Sequence, residues 1–385
     1  MVNNLENMNW KMKNGRKPKV AIVHDWLYGG GAERVVHELH RMFPDAPIYT
    51  SYCSDEWRKK LDGKVVTGFL QHWPFSKLRK FLAVLRIWWF TRLDFSDYDL
   101  VISSSGNGEA FGIKTPKDTV HINYCHTPTH YYWRFYDEYM ASPGFGIFNP
   151  LARLGLRLLL GPLRKWDHKA AQRADYIIAN SAHIQADIKT FYGRDATVIH
   201  PPIDVDRFQI PDSRFQIPKN GFVIAGRHVP QKRMDLAVIA CTKLGLPLTV
   251  VGDGPETKRL MSLAGPTITF TGRASDTDMP VHLASAQAFI FPSFEDFGIT
   301  PVEAMAAGTP LIAFRAGGAL DMVEEGKTGI FFDSQTVPSL RKALRTFDPA
   351  RFKRHTIQSK ARAFSPQVFR QRMGELIERA IQKEQ

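Results

Sequence analysis

The sequence predicts an α/β protein made of two doubly wound, Rossmann-like domains. Three observations carry this. Short apolar runs of strand type alternate with helical stretches along most of the 385 residues. The rhythm breaks once, at Pro201-Pro202-Ile203-Asp204, and then starts afresh. A 44% hydrophobic content beside 23% charged residues belongs to a folded globular chain.

The first 17 residues are polar and mixed and read as a disordered lead-in. A first domain is expected over residues 18–200. It opens with Lys19 to His24 as a buried strand, then Gly29-Gly30-Gly31, then the helical stretch Ala32 to Phe43. Strands follow at Asp99 to Ser103, Val120 to Cys125, Tyr176 to Asn180 and near Thr197 to His200. A second domain is expected over 201–365. Its strands are Gly221 to Ala225, Leu248 to Val251, Ile268 to Phe270, Ala288 to Phe291 and Pro310 to Ala313. Residues 366–385 form a final amphipathic helix, expected to cross back to the N-terminal domain.

The stretch "SFEDFGITPVEAMAAGTP", residues 293 to 310, sets Glu295 and Glu303 on either side of a loop that becomes a helix. Thr300 as N-cap, Pro301 at the first helical position and Glu303 three residues after the cap have capping-box spacing. Glu303 can thus be a helix cap, and Glu295 an exposed loop residue. The loop also ends a strand, where open α/β sheets collect ligands and a helix N-terminus favours phosphate.

Other strand-end turns point the same way. "AGRHVPQKR" places Arg227, Lys232 and Arg233 just after a strand, where Arg can fork two phosphate oxygens and Lys adds a point charge. "VVGDGP" brings Gly252 and Asp253, and "FTGR" brings Gly272 and Arg273. In the first half, Gly29-Gly30-Gly31 allows close backbone approach to a phosphate. It is neither GxGxxG nor a Walker loop, which weakens a nicotinamide-dependent oxidoreductase. His126 follows the strand "VHINYC" at its carboxyl end, while His24 and Asp25 end the first strand.

The net charge of +13 implies an anionic partner. Ser76 to Arg92 carries Lys77, Arg79, Lys80, Arg86 and Arg92, no acid, and aromatic residues including Trp88 and Trp89. Gly144 to Lys169 repeats the combination with Arg153, Arg157, Arg164 and Lys165 among leucines. Such segments suit helices lying in a membrane interface; two ordinary amphipathic helices packed on the core would look alike. No apolar run reaches the ~20 residues of a spanning helix, and no secretory signal is expected. Cys53, Cys125 and Cys241 lack framework or metal-ligand spacing, which fits a reducing compartment.

Taken in order, these motifs closely resemble the retaining glycosyltransferases of family four, which have the GT-B fold of two Rossmann-like domains facing across a cleft. The residues that carry the resemblance are the E-x7-E pair around "FGIT", "GRHVPQKR", "VGDGP", "GGGAERV" and "YCHTP" at 124 to 128. The sequence looks most like bacterial mannosyltransferases that assemble O-antigen and other surface polysaccharides.

The resemblance implies roles for individual residues. Arg227 and Lys232 would hold the nucleotide diphosphate, Glu295 the donor sugar and Glu303 the ribose. Phe297, Gly298, Ile299 and Thr300 would offer backbone N–H groups, Gly272-Arg273 would border the base, and Gly252-Asp253 would line the same crevice. Gly29, Gly30 and Gly31 would sit near the diphosphate and His126 near the reacting sugar, with His24 and Asp25 on the acceptor side. The catalytic set is then His126, Arg227, Lys232 and Glu295.

The expected activity is transfer of a hexose, mannose from GDP-mannose by preference, onto a lipid-linked oligosaccharide for surface polysaccharide or lipopolysaccharide. It would take place at the inner face of the cytoplasmic membrane, with Lys77, Arg79, Lys80, Trp88 and Trp89 against anionic lipid. No metal and no cofactor beyond the nucleotide sugar are expected, although D-x-D occurs at Asp97/Asp99, Asp204/Asp206 and Asp276/Asp278. The alternatives are a UDP-sugar donor, a catalytically inactive binding subunit, or a nucleic-acid-binding protein suggested by the charge.

Overall fold

The computed structural model describes residues 12, 15–78, 82–106, 109–141, 143, 146–209 and 220–383. The chain forms two units, Met1–Pro201 with Phe369–Gln385, and Pro202–Val368.

The first unit holds a seven-stranded sheet ordered β3-β2-β1-β4-β5-β6-β7. Its strands are β1 Val20–His24, β2 Ile48–Thr50, β3 Val65–Thr67, β4 Leu100–Ser105, β5 Val120–Cys125, β6 Tyr176–Ala179 and β7 Thr197–Val198. All neighbours are parallel, and Ile22 of β1 lies in register with Ile48 and Ile102. The second unit has a six-stranded parallel sheet ordered β10-β9-β8-β11-β12-β13. Those strands are β8 Phe222–Ala225, β9 Leu248–Val251, β10 Ile268–Gly272, β11 Ala288–Phe291, β12 Leu311–Phe314 and β13 Gly329–Phe332.

The expected strands are present within a residue or two at their ends, which is ordinary fraying. Three were not foreseen: β2, β3 and β13. The first two have three residues each, too few to show a period, and gain their place by pairing beside β1. In both sheets the winding reverses, between β1 and β4 and between β8 and β11. Those switch points open crevices at the strands' carboxyl ends.

The terminal helix Pro366–Lys383 belongs to the first unit from Phe369 onward. Phe369, Met373, Leu376, Ile377, Ala380 and Ile381 recur at helical spacing and pack into the core that includes Ile22 and Leu39. Arg370 adds a partly buried ion pair with Glu38. At the other end, the described part of the lead-in is held too: Arg16 forks Asp99 with two contacts of 2.6 Å.

The basic segments divide sharply. In the helix Ala83–Phe90, Trp89 is 9% exposed and Phe90 fully buried. Trp89 is therefore a core residue and not a membrane-facing one, a correction that follows from its packing beside Val23 and Val101. Arg86, counted among the basic residues of that segment, is buried as well: its Nη2 donates to Glu109 Oε1 at 2.6 Å and its guanidinium lies over the Trp26 ring. Trp88 stays 44% exposed with the Arg92 guanidinium over its ring, and Lys77 is exposed. Arg79 and Lys80 lie outside the described residues. The helix Asn149–Ala171 leaves Leu151, Leu154 and Leu158 more than half exposed along one face, with Arg157 and Lys165 also exposed. Among the described residues, no helix is long and apolar enough to cross a membrane.

Candidate active site

In the second unit the chain after β8 turns at Gly226, with φ +145, and its amide donates to Val251 O. The turn after β9 lies against it: a Cβ at Gly252 would come within 1.9 Å of Gly226 O, and one at Gly254 within 2.4 Å of His228 O. Glycine is required at both positions by backbone contact. Gly252 also donates to Gly272 O at 2.7 Å, so the ends of β8, β9 and β10 are laced together. Asp253 is spent locally. Its Oδ1 accepts from the Gly254 amide and the Thr257 hydroxyl, which hold its carboxyl below the usual range. The side chain of His228 lies beneath this turn, its Nδ1 bonded to Thr257 Oγ1 and its pKa lowered by burial.

Lys232 reaches across the switch point. Its Nζ lies 2.7 Å from Glu295 Oε1, an oxygen that also accepts from Ser293 Oγ at 2.7 Å. These side chains, with Met234, Phe291, Thr300 and Pro301, line a depression at the ends of β8 and β11. Arg227 is exposed and its side chain has no ion-pair partner among the described residues. Gly272 and Arg273 are exposed at the end of β10.

The loop between the two glutamates has a different start from the one expected. The helix runs Ile299–Ala306, and its N-cap is Gly298, with φ +100 and no side-chain cap bond. Thr300 and Pro301 are thus already helical, and the capping box is not formed. Gly298 must be glycine because a Cβ would strike the Phe291 ring at 2.8 Å. Glu303 is buried one turn into the helix. The Phe297 side chain turns into the core against Phe364, so only its backbone can meet a ligand. Gly317 and Gly318, unassigned by the sequence reading, pin the loop from behind: the Gly318 amide donates to Glu295 O at 2.9 Å. The Gly-Gly pair following β12 was the available signal.

In the first unit, Gly29 has φ +132 and its amide is already taken. Glu33, buried in the first turn of the helix Ala32–Met42, accepts from Gly29 N at 2.9 Å and Tyr28 N at 3.3 Å. Gly30 and Gly31 complete the turn beside the same carboxylate. Asp25 is also a brace. Its carboxylate accepts from the amides of Gly106 and Ala110 and from Ser105 Oγ, organising the loop after β4. That saturation removes it from the acceptor-contact set. His24 and His126 are drawn together through Ser104, and burial holds the His126 pKa down to about 3.

Chemically, the second unit offers an exposed guanidinium, a half-exposed ammonium, a carboxylate with a hydroxyl partner and a helix start within one set of strand ends. That set can hold a di-anionic group beside a polyhydroxylated one. Among the described residues there is no cluster of three or more His, Cys, Asp or Glu side chains able to hold a metal. Two D-x-D aspartates are engaged elsewhere, Asp99 by Arg16 and Asp276 by Arg207.

Two consecutive units, each built on a parallel sheet with crossover helices, make the GT-B fold, and solved structures agree on it. Anabaena HepE in complex with UDP matches with a TM-score of 0.67 at 18% identity over 93% of this chain and 99% of that one. The sucrose-phosphate synthase of Thermosynechococcus elongatus matches with a TM-score of 0.65 at 17% identity, over 94% and 99%. Residues 29–207 match the model for Glycosyltransferase Family 4, and residues 206–364 that for Glycosyl transferases group 1. Together the two matches run from residue 29 to residue 364, and over that span the chain is similar to these two glycosyltransferase families.

Among curated relatives, the GDP-mannose-dependent alpha-(1-6)-phosphatidylinositol monomannoside mannosyltransferase of Mycobacterium tuberculosis is 30% identical over 199 residues, 44% of this chain and 51% of that protein. The D-inositol 3-phosphate glycosyltransferase of Mycobacterium bovis is 30% identical over 199 residues, 46% and 42%. The chain thus spans about half the length of the curated relatives it matches.

Proposed function

We propose that this protein transfers a hexose, mannose from GDP-mannose by preference, to a lipid-linked saccharide acceptor with retention at the anomeric carbon. The observation that carries the reading is the Lys232–Glu295 contact at the β8/β11 switch point, with Arg227, exposed and without an ion-pair partner among the described residues, on the same loop. Arg227 and Lys232 would neutralise the diphosphate as it leaves, acting where charge develops. Glu295 would turn from Lys232 to the sugar hydroxyls, and Glu303 would hold the ribose. No metal is required in this scheme, and full activity in excess chelator is its corollary.

Mannose is favoured by the mycobacterial relative; a UDP-sugar is the second reading, since HepE binds UDP. The lipid acceptor is supported by the exposed stripe of Leu151, Leu154 and Leu158 with Arg157 and Lys165 beside it, and by exposed Trp88 and Lys77. Apolar side chains would enter the interface while the cations meet anionic headgroups, placing the protein on the inner membrane face. An assembly role in surface polysaccharide or lipopolysaccharide would follow from such an acceptor.

A thermal-shift series with GDP-, UDP- and ADP-sugars tests the donor, because a ligand bound only by the folded state raises its melting temperature. GDP-mannose is expected to give the largest shift, and Glu303→Ala to abolish it while leaving the unliganded melting temperature within a few degrees. No shift with any nucleotide sugar would overturn the proposal.

A further inference from the structure

In the first unit, β1, β4 and β5 bring His24, Ser104 and His126 together at the switch point, 80 and 22 positions apart in sequence. His24 Nδ1 lies 2.7 Å from the carbonyl oxygen of Ser104. A carbonyl only accepts, so His24 carries its proton on Nδ1. The Ser104 hydroxyl oxygen is 3.2 Å from that same nitrogen and 2.8 Å from His126 Nε2. Because His24 Nδ1 is already protonated, it has no lone pair for the hydroxyl proton. Ser104 has no further acceptor among the described residues. The remaining acceptor is His126 Nε2.

We propose that Ser104 is a positioning residue that fixes His126 as the Nδ1–H tautomer, so that the free face of this imidazole can only donate a hydrogen bond. His126 Nδ1 has no protein partner among the described residues and is not among the buried, unsatisfied atoms. The ring is only half-buried, so this N–H is open to a ligand. The backbone fixes the residue around it: the His126 amide donates to Ser105 O, and Asn180 Nδ2 donates to His126 O, both at 2.8 Å. Burial keeps the ring neutral as well.

Neither nitrogen can then take a proton, since Nε2 is occupied by the hydroxyl and Nδ1 is already protonated. The chemistry left is recognition of an oxygen lone pair, such as a hydroxyl or ring oxygen of a hexose. Only this last assignment rests on the transferase reading; the tautomer stands on the hydrogen-bond chain alone.

The test is ¹⁵N–¹H correlation spectroscopy of histidine-labelled full-length protein, with His126 assigned by its loss in His126→Phe. The expected pattern for His126 is that of the Nδ1–H tautomer. Ser104→Ala is expected to move it toward the Nε2–H form that free histidine prefers, and Ser104→Thr, which keeps the hydroxyl, to restore it; melting curves check that both variants fold. With a nucleotide sugar that is turned over, Ser104→Ala is expected to lower kcat about tenfold with KM changed less than twofold, about 1.4 kcal/mol in the barrier. An Nε2–H pattern in the unmodified protein, or a Ser104→Ala spectrum identical to it, would overturn the proposal, as would an unchanged kcat. A protein that turns over no nucleotide sugar but shows the Nδ1–H pattern would instead sink the transferase reading and leave the tautomer intact.

Discussion

His121, in the middle of β5, shows how a single residue ties this fold to pH. It is fully buried, bonded through Nε2 to Ser103 Oγ at 2.8 Å, and its Nδ1 has no partner among the described residues. Burial, with the charges of Arg173 and Arg194, pushes its pKa down to about 3. The unfolded chain takes up this proton near ~6.5. Between about 6.5 and 3 the unfolded state therefore binds one proton more than the native state, and stability falls as pH falls. The expected slope from this residue is about 1.4 kcal/mol per pH unit in that window. Urea denaturation at several pH values checks it: His121→Gln should lose one proton's worth of slope, and an identical slope would refute the assignment. Residue identity alone did not show this: the sequence sets His126 just past the end of its strand, but nothing in it marks His121 as a sealed ring. Only their surroundings separate a sealed ring from an open one.

The helix Ala83–Phe90 carries the clearest lesson at the scale of an element. Its adjacent tryptophans face opposite ways, Trp89 into the core and Trp88 toward solvent. Trp89→Ala is expected to cost about 3–5 kcal/mol, as deletion of a buried large aromatic does. Trp88→Ala should stay within about 0.5 kcal/mol but weaken binding to vesicles containing anionic lipid. Chemical denaturation and vesicle sedimentation measure the two; a core-sized loss for Trp88 would reverse the placement. The basic, aromatic composition of the segment was legible in the sequence. Which arginine serves the surface was not, since Arg86 is claimed by Glu109, 23 residues on, after folding brings that loop beneath the helix. The start of the helix Ile299–Ala306 was misjudged for a related reason. Thr300-Pro301 has the local preference of a helix start, but the left-handed turn at Gly298, packed on Phe291, lets the helix begin earlier.

At the scale of the whole molecule, the terminal helix makes the first unit depend on the chain's last residues. Truncation after Ser365 would strip Phe369, Met373, Leu376, Ile377 and Ile381 from that core, each worth roughly 1.5–3 kcal/mol of burial. The sum, roughly 7.5–15 kcal/mol, is as large as the whole ~5–15 kcal/mol by which a domain is stable. The truncated protein is expected to lose the cooperative melting of its first unit in calorimetry, and retention of that transition would show the helix to be dispensable. The alternation of strands and helices, the break at Pro201-Pro202, the glycines at strand ends and the two glutamates around their turn were all determined by the sequence itself. Periodicity and backbone freedom are local properties, written over a few neighbouring residues. The tertiary structure alone decided that Asp25 and Glu33 brace loops, that Trp89 and Arg86 turn inward, that Lys232 meets Glu295, and that Ser104 stands between two histidines. Those pairings join residues up to 85 positions apart, and only the order in which parallel strands lie side by side brings such residues within hydrogen-bond reach.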